Sequence, residues 1–472
     1  MNPRTTGILF LIAAAIAAFI YFYEIEGQDA RDQAEVDAKR LFDGVDADAI
    51  TEIDLTTSDA KLVHLVRDGD GWHLAQPLVF PADEFAVDAI AAALSGLSSE
   101  RELGDPQAPS VYGFDRDGGA LTFRVTRGDA HTEYTVRIGK SSPVGGNTYV
   151  SVVGDDTVHL VKSFSVNSFQ KLLHDLRRKR IADFDTSAID RIEVDLGEDR
   201  VVAERSDGAW ALVEPRREAA DQETVDGLLS TLSFLRAEHF IDQPTDAEFA
   251  GLTPPAFHAR LVGRGSDPVV DLELSIGRRT ERGKRLVRAG LPTLFQIPSE
   301  QMLELPQTLF EFRFRTLAEF DSWDAQRMEI LFQDGETLAI TATKTDGSWS
   351  SEPETIDPEK LRTLGMRLSN LRAVGILAES MGEGERAELD LAPPKVTYRV
   401  FGKADADAAE DGEETEVLLA EVFIGAFKGS DGIVAQSAGN TRIFEIDLEL
   451  AAEIPVSLEA LHNRFLADPE LP

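Results

Sequence analysis

A chain of 472 residues is too long for one ordinary hydrophobic core and predicts two to four domains. Its 43% hydrophobic and 28% charged composition excludes wholesale disorder, and the absence of cysteine excludes disulfides, thiolate metal sites and cysteine nucleophiles. A formal net charge of -37, from 84 acidic against 47 basic side chains, repels phosphate backbones and argues against nucleic acid as a partner.

The N-terminus has a short basic lead (the α-amino group and Arg4), an uncharged run from Gly7 to Tyr23, and then acids at Glu24, Glu26 and Asp29. Such a run covers roughly 25 Å as a helix, near the low end for a hydrocarbon core of about 30 Å. Tyr21, Phe22 and Tyr23 suit an aromatic interface belt, and Arg4 can snorkel to the opposite headgroups. A cleavable signal peptide is the competing reading. The apolar run continues through Ala18, Phe19 and Ile20 without a polar cleavage region, which favours an anchor. Charge asymmetry places the N-terminus in the cytoplasm and the body outside. The expected layout is a cytoplasmic tip at 1–6, a transmembrane anchor at 7–23 and a polar stalk at 24–38. In a bacterium that is a single-pass inner-membrane protein with a periplasmic body.

Beyond the stalk one phrase occurs three times. Asp70-Gly71-Trp72, Asp207-Gly208-Ala209-Trp210 and Asp346-Gly347-Ser348-Trp349 place tryptophans at intervals of 138 (210 − 72) and 139 (349 − 210) residues. Pro77, Pro215 and Pro353 follow. Apolar residues then recur at helical steps: Val87, Ala91, Leu94, Leu97; Val225, Leu229, Leu232, Leu235; and Leu364, Leu368, Leu371, Val374. Gly113, Gly251 and Asp390 share a further offset, and Ile138-Gly139, Ile276-Gly277 and Ile424-Gly425 are read as strand ends. The third copy carries an acidic run, Lys403 to Glu416, expected to be a lengthened hairpin loop. Each copy predicts two strands, a DG turn, a tryptophan strand, a helix, a run of strands with period-two alternation, and a closing helix such as "SFQKLLHDLRRK". The modules are placed at residues 39–180, 181–316 and 317–472. The fold class is α+β: an N-terminal transmembrane helix followed by three tandem, mainly antiparallel sheet-plus-helix modules on a semi-rigid arm.

The DG-x-W strand, the proline after it, the Ala-Asp before an amphipathic helix, the step at Gly113 and "IGKSSPVGGNTYV" resemble a bacterial domain-of-unknown-function family, numbered forty-three forty, over Phe42 to about Phe465. The third copy departs most. The resemblance implies one N-terminal membrane helix and association with an ABC-2 type permease and auxiliary subunits of the gliding-motility type. It implies no catalytic residues.

The residues themselves show no chemical motif. The eight histidines are scattered, and "DRDG" (Asp115 to Gly118) and "DADAAEDG" (Asp405 to Gly412) lack the ligand order of a calcium loop. There is no nucleophile elbow, Walker loop or dinucleotide fingerprint. No metal, cofactor or enzymatic activity is expected. Two basic clusters stand out in so acidic a chain: Arg177, Arg178, Lys179 and Arg180, and Arg313 with Arg315. They either neutralise helix C-termini and bridge acidic neighbours or contact a partner subunit or lipid headgroups. The expected function is a membrane-anchored periplasmic accessory or scaffold subunit of an ABC-type export complex. The alternatives are a carrier or sensor binding a lipid or envelope polymer and, behind it, an envelope hydrolase.

Overall fold

The computed structural model describes residues 39–467 except 70, 105, 116–118, 128–129, 266–268, 404–415 and 429–431. The tip, anchor and stalk expected at 1–38, and most of both calcium-like runs and of the acidic run, lie outside the described residues. Among the described residues no helix is long and apolar enough to cross a membrane.

The class is α+β, and within its three large sheets the pairings among the described residues are antiparallel. The first sheet is built from β1 (Ile50–Thr56), β2 (Leu62–Asp68), β3 (Gly71–Gln76), β4 (Phe80–Pro81), β5 (Arg101–Leu103), β6 (Ala120–Arg127), β7 (Ala130–Ser141), β8 (Asn147–Val152) and β9 (Val158–Lys162). Its order is β4-β3-β2-β1-β6-β7-β8-β9-β5. The second contains β10 (Arg191–Leu196), β11 (Asp199–Ser206), β12 (Ala209–Glu214), β13 (Glu218–Ala219), β15 (Phe257–Gly263), β16 (Val270–Ile276), β17 (Lys284–Arg288) and β18 (Leu294–Pro298), in the order β13-β12-β11-β10-β15-β16-β17-β18. The third, from β20 (Ala325–Asp334), β21 (Glu336–Thr345), β22 (Ser348–Glu352), β24 (Gly375–Ala378), β25 (Val396–Lys403), β26 (Glu416–Lys428), β27 (Gly432–Ser437) and β28 (Ile443–Asp447), runs β22-β21-β20-β25-β26-β27-β28-β24. A small separate pair joins β19 (Thr316–Glu319) to β23 (Asn370–Arg372).

The chain forms two compact units. Among the described residues one is 39–181 with Arg236–Ile241, which includes β14 (His239–Ile241); the other is Ala182–Leu235 with 242–467 and holds both the second and third sheets.

Local chemistry explains the repeated frame. Asp207-Gly208 and Asp346-Gly347 have φ of 51° and 83°, and 52° and 84°, the positive-φ pair that a two-residue type I′ hairpin demands. The proline five or four residues past each tryptophan follows a cis peptide bond, as do Pro254 and Pro393. Helices α1 (Glu84–Ser95), α2 (Gln222–Phe234) and α3 (Pro358–Ser369) each begin at an aspartate, Asp83, Asp221 or Asp357, whose side chain accepts from a first-turn N–H. Each helix buries one apolar stripe against its sheet, as Val87, Ile90, Ala91 and Leu94 do in α1. Each buried leucine or valine contributes about 1.5–3 kcal/mol.

The structure corrects three details. In α3 the buried stripe is Leu361, Leu364, Gly365 and Leu368, and Val374 is 51% exposed, so the helix markers assigned to the third copy slip by three residues. The chain between Trp349 and the capping Asp357 is three residues shorter than its counterparts, and counting from the tryptophan carries that deletion into the helix. The Ile-Gly pair ends a strand only at β16; β7 and β26 run on past it through register shifts. A Cβ at Gly139 or Gly425 would strike the carbonyl of Tyr112 or Leu389, and one at Gly277 would lie 2.7 Å from that of Gly251. The pair is therefore where the strand passes a helix end. The closing helix of the first module breaks into Ser163–Val166, Asn167–Phe169 and Leu173–Leu176. Asp83 N–H donates to Leu176 O and Arg178 N–H to Pro81 O, so the segment must leave its last turn extended.

Candidate functional site: an arginine seam between the second and third modules

The two basic clusters have different surroundings. Arg177 is buried, its guanidinium stacked between Phe80 and Phe240 at 4.1 and 4.0 Å from the ring centroids. Arg178 N–H donates to Pro81 O, Lys179 O accepts from Ala237 N–H, and Arg180 forms a β-bridge with Arg236. Arg313 occupies the place in the second module that Arg177 holds in the first, one residue past the carbonyl that accepts from the capping aspartate's N–H. Its partners are carboxylates: Glu218 at 2.8 Å and Glu379 at 2.6 Å. Since Glu218 stands where Phe80 stands, one backbone position serves a cation–π sandwich in one module and an ion-pair network in the next.

That network ties the second module to the third. Arg442, just ahead of β28, bonds Glu218, reaches Glu379 at 3.1 Å and donates to Phe314 O at 3.4 Å. Arg216 closes the set on Glu379 at 2.9 Å. Burial pushes the Glu379 carboxyl up, but Arg313 and Arg216 outweigh it and hold it below the usual carboxylate range. Burial and the neighbouring Arg216 draw the Arg442 guanidinium down from its ordinary value.

The second half of the seam centres on Asp221, whose side chain is 3% exposed. It caps α2 by accepting from Thr224 N–H at 3.0 Å, and both its oxygens accept from Arg372 Nη2 at 2.5 Å. Arg315 stands 3.6 Å away and donates to Thr224 Oγ1 at 3.4 Å; Arg372 also pairs with Glu223. Burial alone would raise the Asp221 pKa, yet the bonds from Arg372 and Thr224 leave it lowered. Such a carboxylate has its lone pairs occupied and little proton affinity near neutrality, so it fastens and is poorly suited to act as a base. A cleft of about 340 Å³ beside it is lined by Asp221, Glu223, Phe314, Phe320, Asn370 and Arg372. Among the described residues no three histidine or carboxylate side chains converge on a metal-sized position.

Sequence reasoning picked out Arg313 and Arg315 but missed Glu218, Asp221, Arg372, Glu379 and Arg442. One signal was available: Leu-Arg-Ala recurs at 235–237 and 371–373, directly after α2 and α3.

The model of a family described as Domain of unknown function (DUF4340) matches the chain twice, over residues 72–255 and 210–394. Both matches run from a module's tryptophan to the Pro-Pro pair of the next module, so the repeating frame of the family spans a junction. The second match contains Glu218, Asp221, Arg313, Arg372 and Glu379. No curated protein matches the chain.

Proposed function

The chain belongs to the family of unknown function DUF4340, and from that premise we propose that it is a membrane-anchored periplasmic accessory or scaffold subunit of an ABC-type export complex, acting through protein–protein contacts. The observation that supports this reading most is where one buried and several half-buried charges go. Asp221, Glu218, Arg313, Arg372 and Arg442 are engaged in fastening one module to the next, which is what a spacer or scaffold requires. A carrier of lipid or apolar polymer would need a continuous apolar groove, whereas the cleft at the seam carries Asp221, Glu223 and Arg372. The anchor at 7–23 and the permease and auxiliary partners rest on the apolar run and the family resemblance. The test is purification of the tagged full-length protein from native membranes in mild detergent. A permease and an ATPase should accompany it; recovery alone across several detergents refutes the assignment.

A further inference from the structure

The third sheet differs from the first two at one edge. In the first and second modules the tryptophan strand is covered by a two-residue strand. β4 pairs with β3 through His73↔Pro81 and Leu74↔Phe80, and β13 pairs with β12 through Ala211↔Ala219 and Leu212↔Glu218. The third sheet ends at β22. Eleven positions separate tryptophan from capping aspartate in the first two modules (83 − 72 and 221 − 210) and eight in the third (357 − 349). The shorter chain turns into the helix without first returning along the edge.

Hydrogen-bond accounting locates what this leaves open. In a two-residue hairpin the pair next to the closing pair is not mutually hydrogen-bonded, so its N–H and C=O point away from the partner strand. Trp72, Trp210 and Trp349 hold that position opposite Arg67, Arg205 and Lys344. Trp72 N–H donates to Glu84 Oε1 at 2.9 Å, and its C=O accepts from Ala82 N–H at 3.0 Å. Trp210 has the same pair of bonds, to Gln222 Oε1 at 2.6 Å and from Ala220 N–H at 3.2 Å. In the third module Pro358 follows the capping aspartate and offers no acceptor. Ile356 N–H, the counterpart of Ala82 and Ala220, donates to Ser351 Oγ at 2.9 Å. Among the described residues nothing bonds the outward N–H or C=O of Trp349. The strand exposes Ser348, Ser350 and Glu352, and it carries no lysine, proline or bulge of the kind that blunts an edge.

We propose that β22 is a β-addition site that takes an extended segment of a partner protein as a further strand. The chain's own covering strands define the occupant's chemistry. Phe80-Pro81-Ala82 and Glu218-Ala219-Ala220 each offer two extended residues and then a small one whose N–H reaches the tryptophan carbonyl. The occupant is thus a short extended segment with a small residue, its amide free, opposite Trp349. The site stands on the sheet edge alone and is independent of the export-complex reading.

Hydrogen exchange on the full chain in detergent tests it, with synthetic peptides of residues 78–82 and 216–220 as probes. Without peptide, the Trp349 amide should exchange roughly tenfold or more faster than those of Trp72 and Trp210. Saturating peptide should slow it, and a peptide N-methylated at its last alanine should not. Replacing residues 350–357 with the second module's 211–221 restores the eleven-residue spacing and supplies a covering strand; it should protect Trp349 and abolish the peptide effect. A Trp349 amide as protected as that of Trp210 in the unmodified chain overturns the proposal, as does an equal effect of the N-methylated peptide. The unmodified-chain comparison needs no variant, so a graft that fails to fold leaves it decisive.

Discussion

Asp221→Ala and Asp83→Ala remove equivalent helix caps and should have unequal consequences. Asp83 accepts from Ala86 N–H at 3.1 Å and Asp221 from Thr224 N–H at 3.0 Å, so loss of the cap costs about 1 kcal/mol in either module. Asp83 carries no ion pair among the described residues. Asp221 is buried and holds Arg372 by both oxygens; because Arg372 is 21% exposed and keeps Glu223, loss of these charged hydrogen bonds costs about 1–3 kcal/mol rather than the full penalty of an unpaired buried charge. The expected losses are therefore about 1 kcal/mol for Asp83→Ala and about 2–4 kcal/mol for Asp221→Ala. A chain of several modules does not unfold in one step, so the comparison belongs to hydrogen exchange of the α1 and α2 amides, with urea unfolding as a second measure. The cycle with Arg372→Ala isolates the pair: the double variant should be less damaged than the sum of the two singles. Equal losses at Asp83 and Asp221, or additive effects in the cycle, refute the claim that Asp221 fastens the seam.

Four further outcomes follow from the same geometry. Asp221 and Glu379 have pKa values lowered in the fold from ordinary values of 3.8 and 4.5, so their stabilisation is fully present above those values and is lost as pH falls through the folded ones. The unfolding midpoint of the second unit should hold from neutrality to about pH 5 and fall below about pH 4; a decline beginning near pH 6.5 would implicate histidine instead. Gly425→Ala drives a Cβ into the Leu389 carbonyl and should destabilise the third module by about 1–3 kcal/mol. Gly227→Ala, in α2 with nothing within 4 Å, should stabilise by about 0.5–1 kcal/mol in the same urea assay. Trp72→Phe and Trp210→Phe forfeit indole N–H bonds to Asp88 at 2.9 Å and Asp226 at 3.1 Å. Trp349→Phe should cost about 1 kcal/mol less than either, because Arg362 stands where those acids stand; three equal midpoint shifts would sink the distinction.

The repeated frame was legible because its markers are local necessities. A DG pair serves a type I′ turn in the second and third modules, an aspartate caps a helix, and a glycine admits a neighbouring carbonyl, each leaving a residue of fixed type; in the first module the expected Asp70-Gly71 turn is corrected, because Gly71 already lies in β3 opposite Asp68. Asp390 shows the limit of that logic. It replaces Gly113 in the left-handed region with φ of 52°, which aspartate tolerates, so the substitution that looked like a departure keeps the conformation. The seam was not legible, because its chemistry joins residues 224 positions apart, as in Glu218 with Arg442, and one backbone position accepts either a phenyl or a carboxylate partner for its arginine. In a chain with 84 acids, no rule of spacing singles out Glu218.

The missing covering strand beside Trp349 has one cause. In every module the capping aspartate is pinned from behind: Asp83 N–H to Leu176 O, Asp221 N–H to Phe312 O and Asp357 N–H to Phe465 O, all at 2.9 to 3.0 Å. The helix start is therefore anchored to the closing segment, and its buried stripe keeps the same phase, with Val87, Val225 and Leu361 each four residues past the cap. Sliding such a helix by three residues would move it about 4.5 Å along its axis and rotate its apolar face by about 60°, losing the bond to the closing segment and unseating several buried side chains. A deletion between tryptophan and cap has to be absorbed at the sheet edge instead. The covering strand and the donor to the tryptophan carbonyl disappear together, while Pro358 separately removes the acceptor of its N–H, leaving the core intact and the outer edge of β22 without a neighbour.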